Sequence, residues 1–331
     1  MNVKFKAFLV TEKEGHFSSE IKELNTEDLP VNDVLIQVKY SSINFKDALS
    51  ASGNKGVSRN FPHVPGIDAS GIVKQSNTSE FPEGAEVLVT GFDLGMGTWG
   101  GFGEYISVPS SWVIAIPEGL SLKTAMCYGT AGLTAGLSIH KLLNAGLKPA
   151  DGEVAVTGAT GGVGSIATAI LSTLGFSTVA ISGKQDEEFL INTLGASRMI
   201  NRDEFVSVAD KKPVSNPVFA GAVDCVGGAV LSGLLKSTHY NGTVTSCGMV
   251  ASNDLNTSIF PFILRGVTLA GIDSVQAPLQ LRKDVWQLLA TSWLSVQLEK
   301  IVEEISLTEL QEKIDIVLKG GATGRYVLAH R

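Results

Sequence analysis

"VAVTGATGGVGS", residues 154–165, is the stretch on which the fold turns. Its Val and Ala residues read as a buried strand, its glycines as a tight turn, and the small residues from Gly162 onward as a helix. Ala159, Gly161 and Gly164 fall at the spacing of a dinucleotide-binding loop, with alanine in the first position. Gly161 and Gly162 leave no side chain between the backbone and a pyrophosphate, and Gly164 lets the helix lie close to the sheet. The helix N-terminus adds free N–H donors and a partial positive charge, which together suit a phosphate.

The following strand indicates which dinucleotide. "AISGKQ" (180–185) ends in Ser182, Gly183 and Lys184, about 20 residues beyond the loop, where NAD-preferring folds place Asp or Glu. A carboxylate there would accept from a ribose diol and repel a 2′-phosphate. Ser182 and Lys184 supply a hydroxyl and a cation instead, and Gly183 leaves room. Charge-assisted hydrogen bonds contribute about 1.5–3 kcal/mol each, enough to set a cofactor preference. The stretch therefore predicts NADPH.

Working outward, the first part of the chain is β-rich. "VLIQVKYSSI" (34–43), "SGIVKQ" (70–75) and "AEVLVTG" (85–91) alternate and are separated by Pro, Gly and Asn turns, as in a barrel-like domain. After Ser121 the texture becomes helical, with Ala, Leu and Met at helical spacing through "GTAGLTA" (129–135). Strands and helices then alternate through "FAGAVDCVG" (219–227), "GTVTSCG" (242–248) and "VTLAGIDSV" (267–275), the rhythm of a doubly wound parallel sheet. The tail ends in a strand-like stretch that such a sheet does not need. The expected organisation is α/β: a barrel domain over 1–122, a Rossmann domain over 123–270, and a return to the first domain over 271–331.

With 331 residues, 44% hydrophobic and 18% charged, the chain has the composition of an ordinary two-domain globular protein. Its net charge of -7 argues against nucleic acid as a partner, since phosphate neutralisation needs a cationic face. "MNVKFKAFLV" is too short and too alternating for a signal peptide, and about 18 consecutive apolar residues occur nowhere, so a cytoplasmic location without a membrane span is expected. Cys127, Cys225 and Cys247 stand far apart, and the five histidines are scattered. No metal-ligand spacing appears, and no metal is expected.

The chain resembles the zinc-free medium-chain dehydrogenases/reductases of the quinone oxidoreductase type, and more narrowly the acrylyl-CoA reductase (NADPH) family. The resemblance rests on "SSINFKDAL" (41–49), "RNFPHVPGIDASG" (59–71), "WGGFGEY" (99–105), "GTAGLTA" (129–135), the glycine loop and "SGK" (182–184). "LGASRMINRDEF" (194–205), "PFILRGVTLAGIDSV" (261–275) and "GR" (324–325) extend it over nearly the whole chain. It implies a GroES-like barrel domain, a Rossmann domain and a homodimer. Zinc-dependent relatives carry a Cys and a His–Glu pair where this chain has Asn44 and Gly66-Ile67-Asp68.

By position, the resemblance implies pyrophosphate contacts at Thr160, Gly161, Gly162 and Val163. It implies 2′-phosphate contacts at Ser182, Lys184 and Arg202, with Gly183 leaving room for the phosphate, and further cofactor contacts are expected at Phe45, Ser274 and Arg325. "NFKD" matches an Asn-Tyr-Lys-Asp loop beside the nicotinamide, with Phe45 replacing the tyrosine and removing a phenol. The implied reaction is hydride transfer to the β-carbon of a short α,β-unsaturated acyl-CoA, acrylyl-CoA to propionyl-CoA. Such a reaction needs a donor for the enolate oxygen and a proton at the α-carbon. Asn44 and Lys46 are the candidate catalytic side chains with Phe45, while Asp47 and Asp68 read as braces, and Lys55 and Arg59 as candidate cations for CoA phosphates. An NADPH:quinone oxidoreductase, and an NADPH-binding protein without turnover, are the alternatives.

Overall fold

The computed structural model describes residues 2–330. Contacts divide the chain into two units. One comprises the chain up to Thr130, Val275–Ala290 and the residues from Val302 onward, and the other comprises Ala131–Ser274 and Thr291–Ile301.

The first unit opens with an antiparallel hairpin of β1 (Lys4–Lys13) and β2 (His16–Asn25). Glu14 and Gly15 join them with φ of 53° and 80°, the two-residue turn whose twist matches that of the strands. β3 (Val34–Ser42), α1 (Phe45–Ala51), β4 (Asp68–Ser76), β5 (Glu86–Thr90), β6 (Tyr105–Val108) and β7 (Ile114–Ala115) follow. Alternation decides which face of β3 is inside. Val34, Ile36 and Val38 are buried against Val73, Val87, Val89 and Ile106.

α2 (Leu122–Asn144) departs from an unbroken helix. Gly129 interrupts it with φ 52° and ψ -155°, a backbone conformation open to glycine. A Cβ there would lie 2.4 Å from Asp68 Oδ2 and from Ser42 Oγ, so a second constraint also demands glycine. The next residue, Thr130, turns its N–H to the Asp68 carboxylate at 2.9 Å.

The second unit is a six-stranded parallel sheet. Its strands are β8 (Glu153–Thr157), β9 (Thr178–Ser182), β10 (Arg198–Asn201), β11 (Phe219–Asp224), β12 (Thr238–Ser246) and β13 (Thr268–Gly271). They lie in the order β10-β9-β8-β11-β12-β13, reversing beside β8 as a doubly wound sheet does. α3 (Gly162–Thr173), α4 (Arg202–Ala209), α5 (Gly228–Ser237) and α6 (Phe260–Arg265) lie between the strands in the chain. β9 and β11 are buried along their whole length, the condition of strands covered on both faces.

The chain then supplies α7 (Leu279–Ala290), β14 (Val302–Ile305), α8 (Leu310–Leu318) and β15 (Arg325–Ala329) to the first unit. β15 pairs antiparallel with β3, giving a seven-stranded sheet in the order β14-β15-β3-β4-β5-β7, with β6 also paired to β3. The strand-like end of the sequence thus closes the first sheet. No helix of the described residues is long and apolar enough to cross a membrane.

Candidate functional site

The second unit brings the predicted nucleotide residues together at the carboxyl ends of its central strands. The turn after β8 is made at Gly158, whose φ is +59°, whereas Gly161 is extended with φ -81° and ψ 175°. Gly158 was not singled out by the motif spacing, yet it is the residue whose backbone requires glycine. Gly164 is the tightest position, since a Cβ there would lie 2.3 Å from the Gly158 carbonyl oxygen. At Gly161 a Cβ would meet only that same oxygen, at 3.3 Å, so the side facing away from the helix stays open. α3 begins without a side-chain cap and without an acidic residue in its first turn. Its first amides therefore remain available to an anion.

β9 and β10 run in parallel register with Ser182 opposite Asn201, which places Arg202 beside Gly183. A Cβ on Gly183 would lie 3.1 Å from the Arg202 guanidinium carbon, so the guanidinium fills the space that the glycine leaves. Ser182 is buried, and its Oγ accepts from the Lys184 backbone N–H at 3.0 Å. Partial burial lowers the Lys184 ammonium below its ordinary value, with Asp186 opposing the shift. A buried hydroxyl, a lysine and an arginine thus belong to one strand end, residue types that suit a phosphate.

Asp224, at the end of β11, is wholly buried. It accepts from Thr157 Oγ1 at 2.7 Å, from the Gly227 N–H at 2.9 Å and from Ser246 Oγ at 3.3 Å. Burial raises its carboxyl above the usual range, against those donors. It ties the ends of three strands beneath the loop, a role for which the sequence offers only the lone acid in "FAGAVDCVG". Ser274, also predicted, is buried and accepts a 2.7 Å hydrogen bond from Thr134 Oγ1.

The first unit holds the other predicted group. Asn44 donates from Nδ2 to Asp68 Oδ2 at 2.7 Å and to Asp47 Oδ2 at 3.2 Å. Its Oδ1 accepts from Arg325 Nη1 at 3.1 Å. A flipped amide would set its oxygen against two carboxylates, so the partners leave one orientation. Arg325 Nη2 also donates to Ser42 Oγ at 2.8 Å, and Ser42 passes a hydrogen bond of 2.6 Å to Asp68. Asn44 is therefore the hub of a buried polar cluster, and Arg325 stands inside that cluster.

Asp47, in the first turn of α1, accepts from the backbone N–H groups of Asn44 and Ile67, each at 2.7 Å. Burial pushes its carboxyl up to about 7, and the Asp68 carboxylate adds to the shift. Phe45 is exposed, and Lys46 beside it has no ion pair among the described residues. Of the two cations considered for CoA, Lys55 is held by Glu12 and lies over the rings of Phe17 and Phe61 at 5.2 and 4.8 Å. Arg59 is exposed.

Two family models match the chain: an alcohol dehydrogenase GroES-like domain over residues 30–118, and a zinc-binding dehydrogenase domain over residues 162–291. The probable acrylyl-CoA reductase AcuI of Escherichia coli K12 is 41% identical, over 97% of this chain and 98% of its own. The chain belongs to the medium-chain dehydrogenase/reductase superfamily. Within that superfamily, the putative quinone oxidoreductase YhfP of Bacillus subtilis is 42% identical over 99% of both chains. The yhdH oxidoreductase of Salmonella enterica, solved in complex with NADP, superposes with a TM-score of 0.95 at 39% identity, over 98% of this chain and 100% of its own.

This medium-chain dehydrogenase/reductase has no group of three or more His, Cys, Asp or Glu side chains placed to hold a metal ion among its described residues. Gly66, just before Ile67-Asp68, has φ +110°, and a Cβ there would lie 2.6 Å from the Phe102 backbone nitrogen, so the position requires glycine.

Proposed function

We propose that the chain reduces the carbon–carbon double bond of acrylyl-CoA to give propionyl-CoA, with NADPH as reductant. The carrying observation is the Arg202 guanidinium lying over Gly183 beside Ser182 and Lys184, in a chain 41% identical over 97% of its length to a relative named as a probable acrylyl-CoA reductase. Bound NADPH supplies the hydride that the β-carbon receives.

Every other part belongs to the chain. Ser182, Lys184 and Arg202 hold the 2′-phosphate, and Thr160, Gly161, Gly162 and Val163 at the start of α3 hold the pyrophosphate. Ser274, steadied by Thr134, completes the cofactor-binding set of the second unit, and exposed Phe45 is the cofactor contact of the first. The Asn44 amide and the Arg325 Nη1 and Nη2 groups are committed to the buried cluster, so both residues act by positioning the loop that carries Phe45 and Lys46. Lys46 supplies the positive charge toward the enolate oxygen as negative charge develops there. Phe45 carries no labile proton, so water protonates the α-carbon.

Following NADPH absorbance with acrylyl-CoA, crotonyl-CoA and a benzoquinone side by side tests this reading. The expected kcat/KM is highest for acrylyl-CoA. The relative named as a putative quinone oxidoreductase supports the competing reading. Turnover of the quinone with none of either thioester would establish that alternative. NADPH binding with no turnover of any of the three would leave a binding protein.

A further inference from the structure

Two thiols meet at the edge of the nucleotide loops. Asp224 and Ser246 are partners in the parallel register of β11 and β12, so Cys225 and Cys247 are the next residue along each strand. Their sulfurs lie 3.8 Å apart, and both side chains are half-buried. Cys247 N–H donates to the Asp224 carbonyl at 2.9 Å, which fixes the spacing of the two backbones. Neighbouring parallel strands stand about 4.8 Å apart, within the Cα separation that a disulfide spans.

We infer that Cys225 and Cys247 form a reversible disulfide that weakens dinucleotide binding. The oxidant is a small disulfide. The Cys247 thiolate attacks one sulfur of RSSR, forming a mixed disulfide and expelling RS⁻. Cys225 then loses its proton to solvent and attacks the Cys247 sulfur, expelling the second thiolate. The two cysteines together lose two electrons and two protons, and RSSR becomes two RSH. The order follows from the environment: the adjacent Cys247 sulfur and loss of solvation raise the Cys225 thiol well above its ordinary value, which leaves Cys247 to attack first.

The consequence for binding comes from what Cys225 touches. A Cβ on Gly158, at the turn that begins the phosphate loop, would lie 3.5 Å from Cys225 Cβ. On the other side, a Cβ on Gly248 would lie 2.1 Å from the Cys225 carbonyl oxygen. Closing the sulfurs to about 2.05 Å moves the Cys225 side chain, which neighbours the Gly158 turn on one side and is packed against Gly248 on the other, and so alters the start of the phosphate loop.

The test treats the full chain with oxidised glutathione and reads intact mass, a non-reducing peptide map and the NADPH dissociation constant. The expected result is a loss of about 2 Da, a Cys225–Cys247 crosslink, and NADPH binding weaker by about fivefold or more, all reversed by dithiothreitol. Cys225→Ser should stop at a stable glutathione adduct on Cys247, and Cys247→Ser should form no crosslink. No loss of 2 Da, or a crosslinked chain that binds NADPH as the reduced chain does, would overturn the inference. Reduced chain that binds no NADPH would overturn the effect on binding and the cofactor reading together, while the mass still scores the bond.

Discussion

Lys184 is the side chain on which the proposed reading of the 2′-phosphate most depends. It stands two residues past Ser182, the position where NAD-preferring folds place a carboxylate, and Arg202, just beyond the neighbouring strand, lies over Gly183. Lys184→Ala should weaken NADPH by about tenfold, or about 1.4 kcal/mol, and leave NADH almost unchanged, as measured by fluorescence titration. Both cofactors weakening equally would show that Lys184 supports the fold and does not read the phosphate. Asp47 gives a second residue-scale expectation. Its carboxyl is raised from 3.8 to about 7, so between those values the native chain holds a proton that the unfolded chain has released. Its contribution to stability is therefore full below about 4 and is lost as pH rises through about 7. From pH 5 to 7 that loss should be on the order of 2–3 kcal/mol, read from denaturant melts. Asp47→Asn, which cannot titrate, should remove this component of the slope, and an unchanged slope would place the titration elsewhere. At this scale the sequence marked Ser182, Lys184 and Arg202 by residue type, and the structure sets Ser182 opposite Asn201 and Arg202 over Gly183. It could not show that the Asn44 amide is committed to Asp68, Asp47 and Arg325, because these partners are joined only by folding.

The strand, turn and helix around residue 158 are local, and they were legible because each follows from its own short pattern. What the pattern did not distribute correctly is the work of the glycines. Gly158 makes the turn, Gly164 admits the helix, and Gly161 leaves open space. Gly161→Val should therefore yield a folded chain with a normal melt and NADPH affinity lowered by about a hundredfold or more, because the isopropyl group enters the space of close approach. Gly164→Val should instead fail to fold or melt early, since its Cβ alone collides with backbone. A Gly161→Val chain that binds NADPH normally would show that another loop holds the pyrophosphate. The break in α2 at Gly129 lay beyond sequence reading for the opposite reason. Helical periodicity continues on both sides, and the interruption is imposed by Asp68, far away in the chain.

For the whole molecule, alternation early and strand–helix rhythm later were enough to anticipate a barrel-like part and a parallel sheet, while Thr291–Ile301, read with the tail, groups with the second unit. The units part at Thr130 and Ser274, positions set by contacts and not by any change in composition. The expected homodimer has a physical basis in the second unit. β13 is the outer strand of its sheet, and Ile259, Ile263 and Leu264 are exposed just before it. An unpaired edge beside apolar side chains favours pairing with a second copy. Ile263→Glu with Leu264→Glu should convert a dimer to a monomer in sedimentation, and an unmutated chain that sediments as a monomer would refute the expectation. The central claim is that hydride reaches the β-carbon of acrylyl-CoA. The direct measurement is NMR of the propionyl-CoA formed in ordinary water from NADPH carrying deuterium at the transferred position of C4. One deuterium on the β-carbon and none on the α-carbon is the predicted result. Deuterium on the α-carbon, or propionyl-CoA without label, would contradict it.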